Sequence, residues 1–198
     1  MTDMERLRVE CVGCRKCAIG GSMVEGKFLS NVFSNMNCTA KYMVVGQNPG
    51  RDEVEQGFPF VGLSGQFFDR ALENVGLSRR DFYVCNTVCC YTPDNRKPTT
   101  EEMENCRMFL DREVKILKPR IIVALGSAAF KQLTGLSGIM KHHGTRIFSP
   151  RYRVIVIPLL HPSPLNLNYP DRRVEFEKDM VALKSAVDDI ACMADMIC

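Results

Sequence analysis

Arg120-Ile-Ile-Val-Ala-Leu-Gly126, followed at once by Ser127-Ala-Ala-Phe-Lys-Gln-Leu133, is the stretch that decides the fold. A short apolar run bounded by turn residues reads as a strand buried on both faces, and the segment after Gly126 reads as a short helix. The same grammar recurs on either side. Tyr42-Met-Val-Val-Gly46 and Phe82-Tyr-Val-Cys-Asn-Thr-Val88 are the first two strands, and Arg153-Val-Ile-Val-Ile157 begins the fourth. Between them, Ser64 to Gly76 places Phe67, Phe68, Ala71, Leu72 and Val75 on one helical face, with Gly76 as its stop. Thr99 caps a long helix, and Glu102 completes a capping box. Met103, Cys106, Leu110, Val114 and Leu117 form the apolar stripe of that helix, which Pro119 ends. A last helix runs from about Arg172. Strands that are near-continuously apolar and alternate with helices predict an α/β chain: a three-layer α/β/α architecture on a central four-stranded parallel sheet. The expected organisation is one domain over residues 1–198, with a cysteine-bearing segment of about 1–40 packed onto it.

Composition agrees and narrows the function. The chain of 198 residues is 45% hydrophobic and 25% charged, in the range of globular proteins. Its longest apolar run, Val154 to Leu160, is too short to span a bilayer, so no membrane partner is expected. Met1-Thr-Asp-Met-Glu-Arg-Leu-Arg8 is charged and lacks the apolar stretch of a signal peptide, which predicts an intracellular protein, cytoplasmic or nuclear. A net charge of +3 permits nucleic-acid binding without demanding it.

In a reducing compartment, clustered cysteines point to metal before disulfides. Cys11, Cys14 and Cys17 form C-x2-C-x2-C, and Cys90 and Cys106 lie downstream, one on a loop and one early in a helix. Four cysteines suit either zinc or a [4Fe-4S] cluster, and ligand count alone does not choose. Cys38, Cys85, Cys192 and Cys198 read as plain buried or surface residues.

In open α/β sheets, ligands sit beyond the carboxyl ends of the strands. Those exits here are Gly46-Gln-Asn-Pro-Gly50, Asn86-Thr-Val-Cys-Cys-Tyr91, Gly126-Ser127 and His161-Pro-Ser-Pro-Leu-Asn166. Three of them carry glycines, prolines and amides that a plain connector does not need. Lys141, Arg146, Arg151 and Arg153 add a basic stretch that could touch phosphates.

In their joint order, these motifs resemble the uracil-DNA glycosylase superfamily, and within it the iron–sulfur-containing family 4. The resemblance runs from Cys14 to about Met180. It rests on Cys14-x2-Cys17, Gly46-x-x-Pro-Gly50, Gly57-Phe-Pro-Phe-Val-Gly-Leu-Ser-Gly-Gln66, Tyr83-Val-Cys-Asn-Thr-Val-Cys-Cys90, Asn95-Arg-Lys-Pro98, Cys106, Ile121 to Gly126 and His161-Pro162. It departs from family 4 in having Gln47 and Asn48 where Gly-Glu-Gly/Ala-Pro-Gly is usual. The Asn-Pro-Gly form, like His161-Pro-Ser-Pro-Leu-Asn166, is similar to other families of the superfamily.

The resemblance implies hydrolysis of the bond between uracil and deoxyribose in single- or double-stranded DNA, by a monomer. Cys14, Cys17, Cys90 and Cys106 would ligate a [4Fe-4S] cluster, with Cys11 a neighbour or alternate. Phe60 would stack on the extruded uracil, Asn86 would read its polar edge, and Gly46, Pro49 and Gly50 would shape the wall around it. His161 would hydrogen-bond the uracil oxygen beside the bond that breaks. Asn48, next to Gln47, would hold the attacking water, and Asp52 or Glu53 is open as a base. Ser163 and Asn166 would meet DNA, with Leu165 as a wedge in the vacated stack. The competing expectation is a catalytically weak nucleic-acid-binding or redox-sensing iron–sulfur protein on the same fold.

Overall fold

The computed structural model describes residues 1–20, 23–24, 27–28 and 32–195, with the side chains of 23–24, 27–28, 165–166 and 193–195 outside the description. The chain runs through α1 (Asp3–Val12), a small ladder of β1 (Met23–Val24) and β2 (Lys27–Phe28), then β3 (Tyr42–Gly46), α2 (Arg51–Gln56) and α3 (Leu63–Asn74). It continues with β4 (Phe82–Asn86), α4 (Thr100–Leu117), β5 (Ile121–Leu125), α5 (Gly126–Thr134), β6 (Ile147–Ser149) and β7 (Val154–Leu159). A short α6 (Pro164–Leu167) and a long α7 (Pro170–Asp195) follow.

The main sheet has the order β4-β3-β5-β7-β6. The four expected strands are parallel, in registers such as Val44 opposite Val84 and Val123 opposite Ile157. The expectation of four strands is corrected to five: β6 adds an antiparallel edge, paired with β7 from Ile147 opposite Val156 to Ser149 opposite Val154. The turn between β6 and β7 is tight, with Arg153 at φ +52° and its amide donating to the Ser149 carbonyl at 2.8 Å. Three residues show too little period for a strand to be read from sequence, and only this turn brings them alongside β7.

Every residue of β3, β4 and β5 is buried, as strands covered on both faces must be. Their side chains alternate between two cores. Tyr42, Val44, Phe82, Val84, Ile121 and Val123 face α3 and α7, where they meet Phe68, Leu72, Phe176 and Leu183. Met43, Val45, Tyr83, Ile122 and Ala124 face the other way, onto Met4, Leu7, Phe109, Leu110, Val114 and Phe130 of α1, α4 and α5. Each fully buried aliphatic or aromatic side chain contributes about 1.5–3 kcal/mol. These two dry layers are the bulk of what holds the sheet between its helices.

Helix boundaries follow local chemistry. Thr99 and Glu102 form the expected capping box, with the Glu102 amide 3.1 Å from Thr99 Oγ1 and the Thr99 amide 2.7 Å from Glu102 Oε2. The helix stops at Lys118, at φ +49°, just before Pro119. Among the described residues, no helix is long and apolar enough to cross a membrane.

Candidate active site and thiol cluster

β3 lies between β4 and β5, and the chain leaves it first toward β4 on one side and later toward β5 on the other. That reversal opens a crevice at the carboxyl ends of the strands, the usual place for a ligand in such sheets. A cavity of about 520 Å³ occupies it. The exits of β3, β4, β5 and β7 supply Gln47 and Asn48, Asn86, Gly126 and His161 to its wall, and the loop ahead of α3 supplies Phe60.

Gly46 explains how the wall can close so tightly. A Cβ there would lie 2.4 Å from Asn86 Oδ1 and 2.5 Å from Phe60 Cζ. The absent side chain is the space in which the amide and the ring come together, so a flat ring has an aromatic face and a donor–acceptor edge side by side. Gly126, at φ +86°, does the same for His161, whose Cβ would be 3.3 Å from an added methyl. Loss of water around the His161 imidazole lowers its pKa to about 4, so at neutral pH it is an uncharged ring.

Phe60 is held in a left-handed conformation, φ +57°, which costs a residue with a Cβ about 1–2 kcal/mol. The Arg79 guanidinium donates to the Pro59 carbonyl at 3.1 Å and to the Phe60 carbonyl at 2.7 Å. Its Nε donates to Asp69 Oδ1 at 2.6 Å. The first turn of α3 backs onto the same place, for a Cβ on Gly65 would overlap the Phe60 carbonyl oxygen.

α2 decides between the two consecutive carboxylates that sequence left open. Glu53 turns back over Gly50, where a Cβ would sit 2.4 Å from its Oε2, and lines the cavity. Its Oε1 accepts the Gly62 amide at 3.0 Å. Asp52 is exposed, with its carboxylate beside Gly62, and is not among the residues of the cavity wall. Asn48 also lines the cavity. Its Nδ2 donates to the Pro49 carbonyl at 2.9 Å and to Asn95 Oδ1 at 3.1 Å, while Gln47 Nε2 donates to Asn48 Oδ1 at 2.9 Å. The amide is locked in place, with one lone pair on Oδ1 beyond its bond from Gln47.

Pro49 is buried behind this wall, and Ser163 lines the cavity and precedes the first turn of α6. The backbones of Leu165 and Asn166 lie in α6, and their side chains are outside the described residues. Lys97 and Arg172, which sequence reasoning did not single out, are the basic residues on the cavity. Lys97 lies within Asn95-Arg-Lys-Pro98, a motif to which no role was given, and Arg172 comes from the first turn of α7 without a motif of its own. Ile139 and Met140 supply an apolar wall that also went unread. Within the basic stretch, Arg146 pairs with Asp189 and Arg151 with Asp111, so both charges are engaged inside the chain.

A second constellation lies at the end of α1. Cys11, Cys14, Cys17, Cys89, Cys90 and Cys106 surround one small hollow. Burial and the neighbouring sulfurs of Cys106, Cys17 and Cys14 push the Cys90 thiol up to about 12. Cys17 is likewise raised by burial, then by Cys106. Sulfurs this close repel one another as thiolates unless positive charge sits among them. Among the described residues, no group of three or more His, Cys, Asp or Glu is placed to hold a single metal ion. Cys89, which sequence reasoning passed over, is buried against Cys11 and Cys106. Cys38 and Cys192 are exposed and Cys85 is buried in the sheet, as plain residues would be. Cys198 lies outside the described residues.

Fold, cavity and motif order define an α/β domain with a cavity at the topological switch point of its sheet. Residues 33–183 match the family model described as the uracil DNA glycosylase superfamily, and the chain belongs to that superfamily. It is 33% identical over 187 residues to the type-4 uracil-DNA glycosylase of Archaeoglobus fulgidus, covering 90% of each chain. Against the type-4 uracil-DNA glycosylase of Pyrobaculum aerophilum it is 34% identical, over 90% of this chain and 91% of the relative. Against that of Thermotoga maritima the figure is 36%, over 76% and 80%.

Proposed function

We propose that the chain is a uracil-DNA glycosylase, a hydrolase that breaks the N-glycosyl bond between uracil and deoxyribose and so begins base-excision repair. The observation that carries this reading is the meeting of Phe60 and Asn86 over Gly46 in a cavity that also holds His161. Relatives named for this activity, similar along nine-tenths of the chain, speak for catalysis over a binding-only protein.

Each residue has work that its chemistry allows. The target nucleotide leaves its stack at a cost of a few kcal/mol, least at a mispair. Phe60 offers its ring to the extruded base. The Asn86 amide both donates and accepts, which matches the imide edge of uracil. As the bond breaks, positive charge grows on the sugar and negative charge on the base. Neutral His161 donates one hydrogen bond to the developing uracil anion, an electrostatic contribution of about 3–4 kcal/mol. Water is held at Asn48 and faces Glu53. An amide has no useful proton affinity, so Glu53 is the group that can draw the proton. Lys97, Arg172 and Ser163 neutralise or hydrogen-bond the phosphates beside the flipped nucleotide in DNA of one or two strands. The protein works as a monomer.

Cys14, Cys17, Cys90 and Cys106, four of the six cysteines around one hollow, would hold a [4Fe-4S] cluster, for which thiolates are the usual donors. Bound there, the cluster cross-links the end of α1 to the Cys90 loop and α4, and no step of excision passes through it.

The test is excision from a uracil-bearing oligonucleotide under single-turnover conditions. Alkali should reveal a cut at uracil, and without alkali the strand should stay whole. His161→Ala and Asn86→Ala should each slow excision at least about tenfold with DNA affinity nearly unchanged. Wild-type rates in both variants would discard the assignment.

A further inference from the structure

Arg79 stands outside the cavity, yet its contacts bear on the ring inside it. The Pro59 carbonyl belongs to the peptide plane before Phe60, and its direction tracks φ of Phe60. The Phe60 carbonyl belongs to the plane after, and its direction tracks ψ. One guanidinium donates to both, at 3.1 and 2.7 Å, and therefore fixes both backbone angles of Phe60 at once. The angles it fixes are ones that a residue with a Cβ rarely adopts, φ +57°. Without an outside hold, that residue would relax to negative φ and swing its ring away from Asn86.

The clamp is itself anchored. Arg79 Nε donates to Asp69 Oδ1 at 2.6 Å, from the middle of α3, and only a quarter of the Arg79 side chain is exposed (25%). A planar guanidinium with three engaged donors has one orientation, which an ammonium group cannot reproduce. Gly65 closes the arrangement from below, since any side chain there would strike the Phe60 carbonyl.

We infer that Arg79, oriented by Asp69, is a positioning residue that holds Phe60 in its left-handed conformation and thereby sets the aromatic face against which uracil is bound. The inference rests on the assignment of Phe60 to the base, and it makes Arg79 act through that one ring.

A double-mutant cycle on the full chain tests it, read as single-turnover excision with melting temperature recorded for each variant. Arg79→Ala and Phe60→Ala should each slow excision about tenfold or more. The double variant should be no slower than Phe60→Ala alone, within about twofold, because the ring on which Arg79 acts has already gone. Arg79→Lys should recover only a small part of the loss, since lysine cannot span both carbonyls and Asp69. If Arg79→Ala does not fold, Asp69→Asn keeps the test open: it should give a smaller loss, likewise absent on the Phe60→Ala background. Wild-type excision by Arg79→Ala, or a double variant slower than Phe60→Ala by the full Arg79→Ala factor, would overturn the clamp alone. Wild-type excision by Phe60→Ala would remove the Phe60 assignment, and the clamp with it.

Discussion

His161 is an uncharged ring at neutral pH because the cavity wall strips water from it, which lowers its pKa to about 4. A neutral imidazole donates a hydrogen bond through one nitrogen and cannot hand over a proton as imidazolium. The sign of the pH dependence follows. Protonated His161 appears only as pH falls toward 4, so the single-turnover rate should show no His161 inflection between about pH 5.5 and 8. A rate that climbs as pH falls through about 6.5 would mean that the charged ring is the working form. His161, Asn86, Phe60 and Gly46 were legible in the sequence because each sits at a strand exit or in a motif with its own punctuation. Glu53 was not. It neighbours Asp52, and composition cannot say which of two adjacent carboxylates faces inward. The helical turn of α2 over Gly50 makes that choice. Arg79 was silent for a related reason: besides Asp69, its partners are the backbone carbonyls of Pro59 and Phe60, which carry no sequence signature.

Cysteines from elements far apart in the chain gather at one hollow. α1 packs along α4, with Met4, Leu7 and Cys11 in the shared core. Cys14 and Cys17 lie just beyond α1, Cys90 beyond β4 and Cys106 in the second turn of α4, so a cluster held by them would tie three separate elements together. Purified protein should absorb broadly near roughly 400 nm, as iron–sulfur proteins do. Removing the metal should lower the melting temperature and expose α1 to proteolysis, with Cys106→Ser doing the same. A colourless protein containing zinc would refute the cluster, and one unchanged in stability on chelation would refute the cross-link. The C-x2-C spacing and the downstream pair were readable from sequence, as were α3, α4, α5, α7 and the four parallel strands, whereas α1 was not read as a helix. β6 and α2 were not readable, because three and six residues are shorter than the periods by which such elements are recognised.

For the molecule as a whole, the sheet order places one crevice where β3 parts from β4 toward one side and β5 toward the other. Two cores, on α3 and α7 and on α1, α4 and α5, make that crevice rigid by packing the strands between them. What approaches from outside is a polyanion, and the cations on the cavity are Lys97 and Arg172. The basic stretch that sequence pointed to instead spends Arg146 and Arg151 on Asp189 and Asp111. Charge counts by residue number could not foresee this, because the partners lie on α7 and α4, far along the chain. The most direct measurement is a crystal structure of the protein soaked with free uracil. The base should lie against the Phe60 ring, with its imide edge on the Asn86 amide and an oxygen facing His161. Uracil bound elsewhere, or a cavity that stays empty at saturating uracil, would contradict the account.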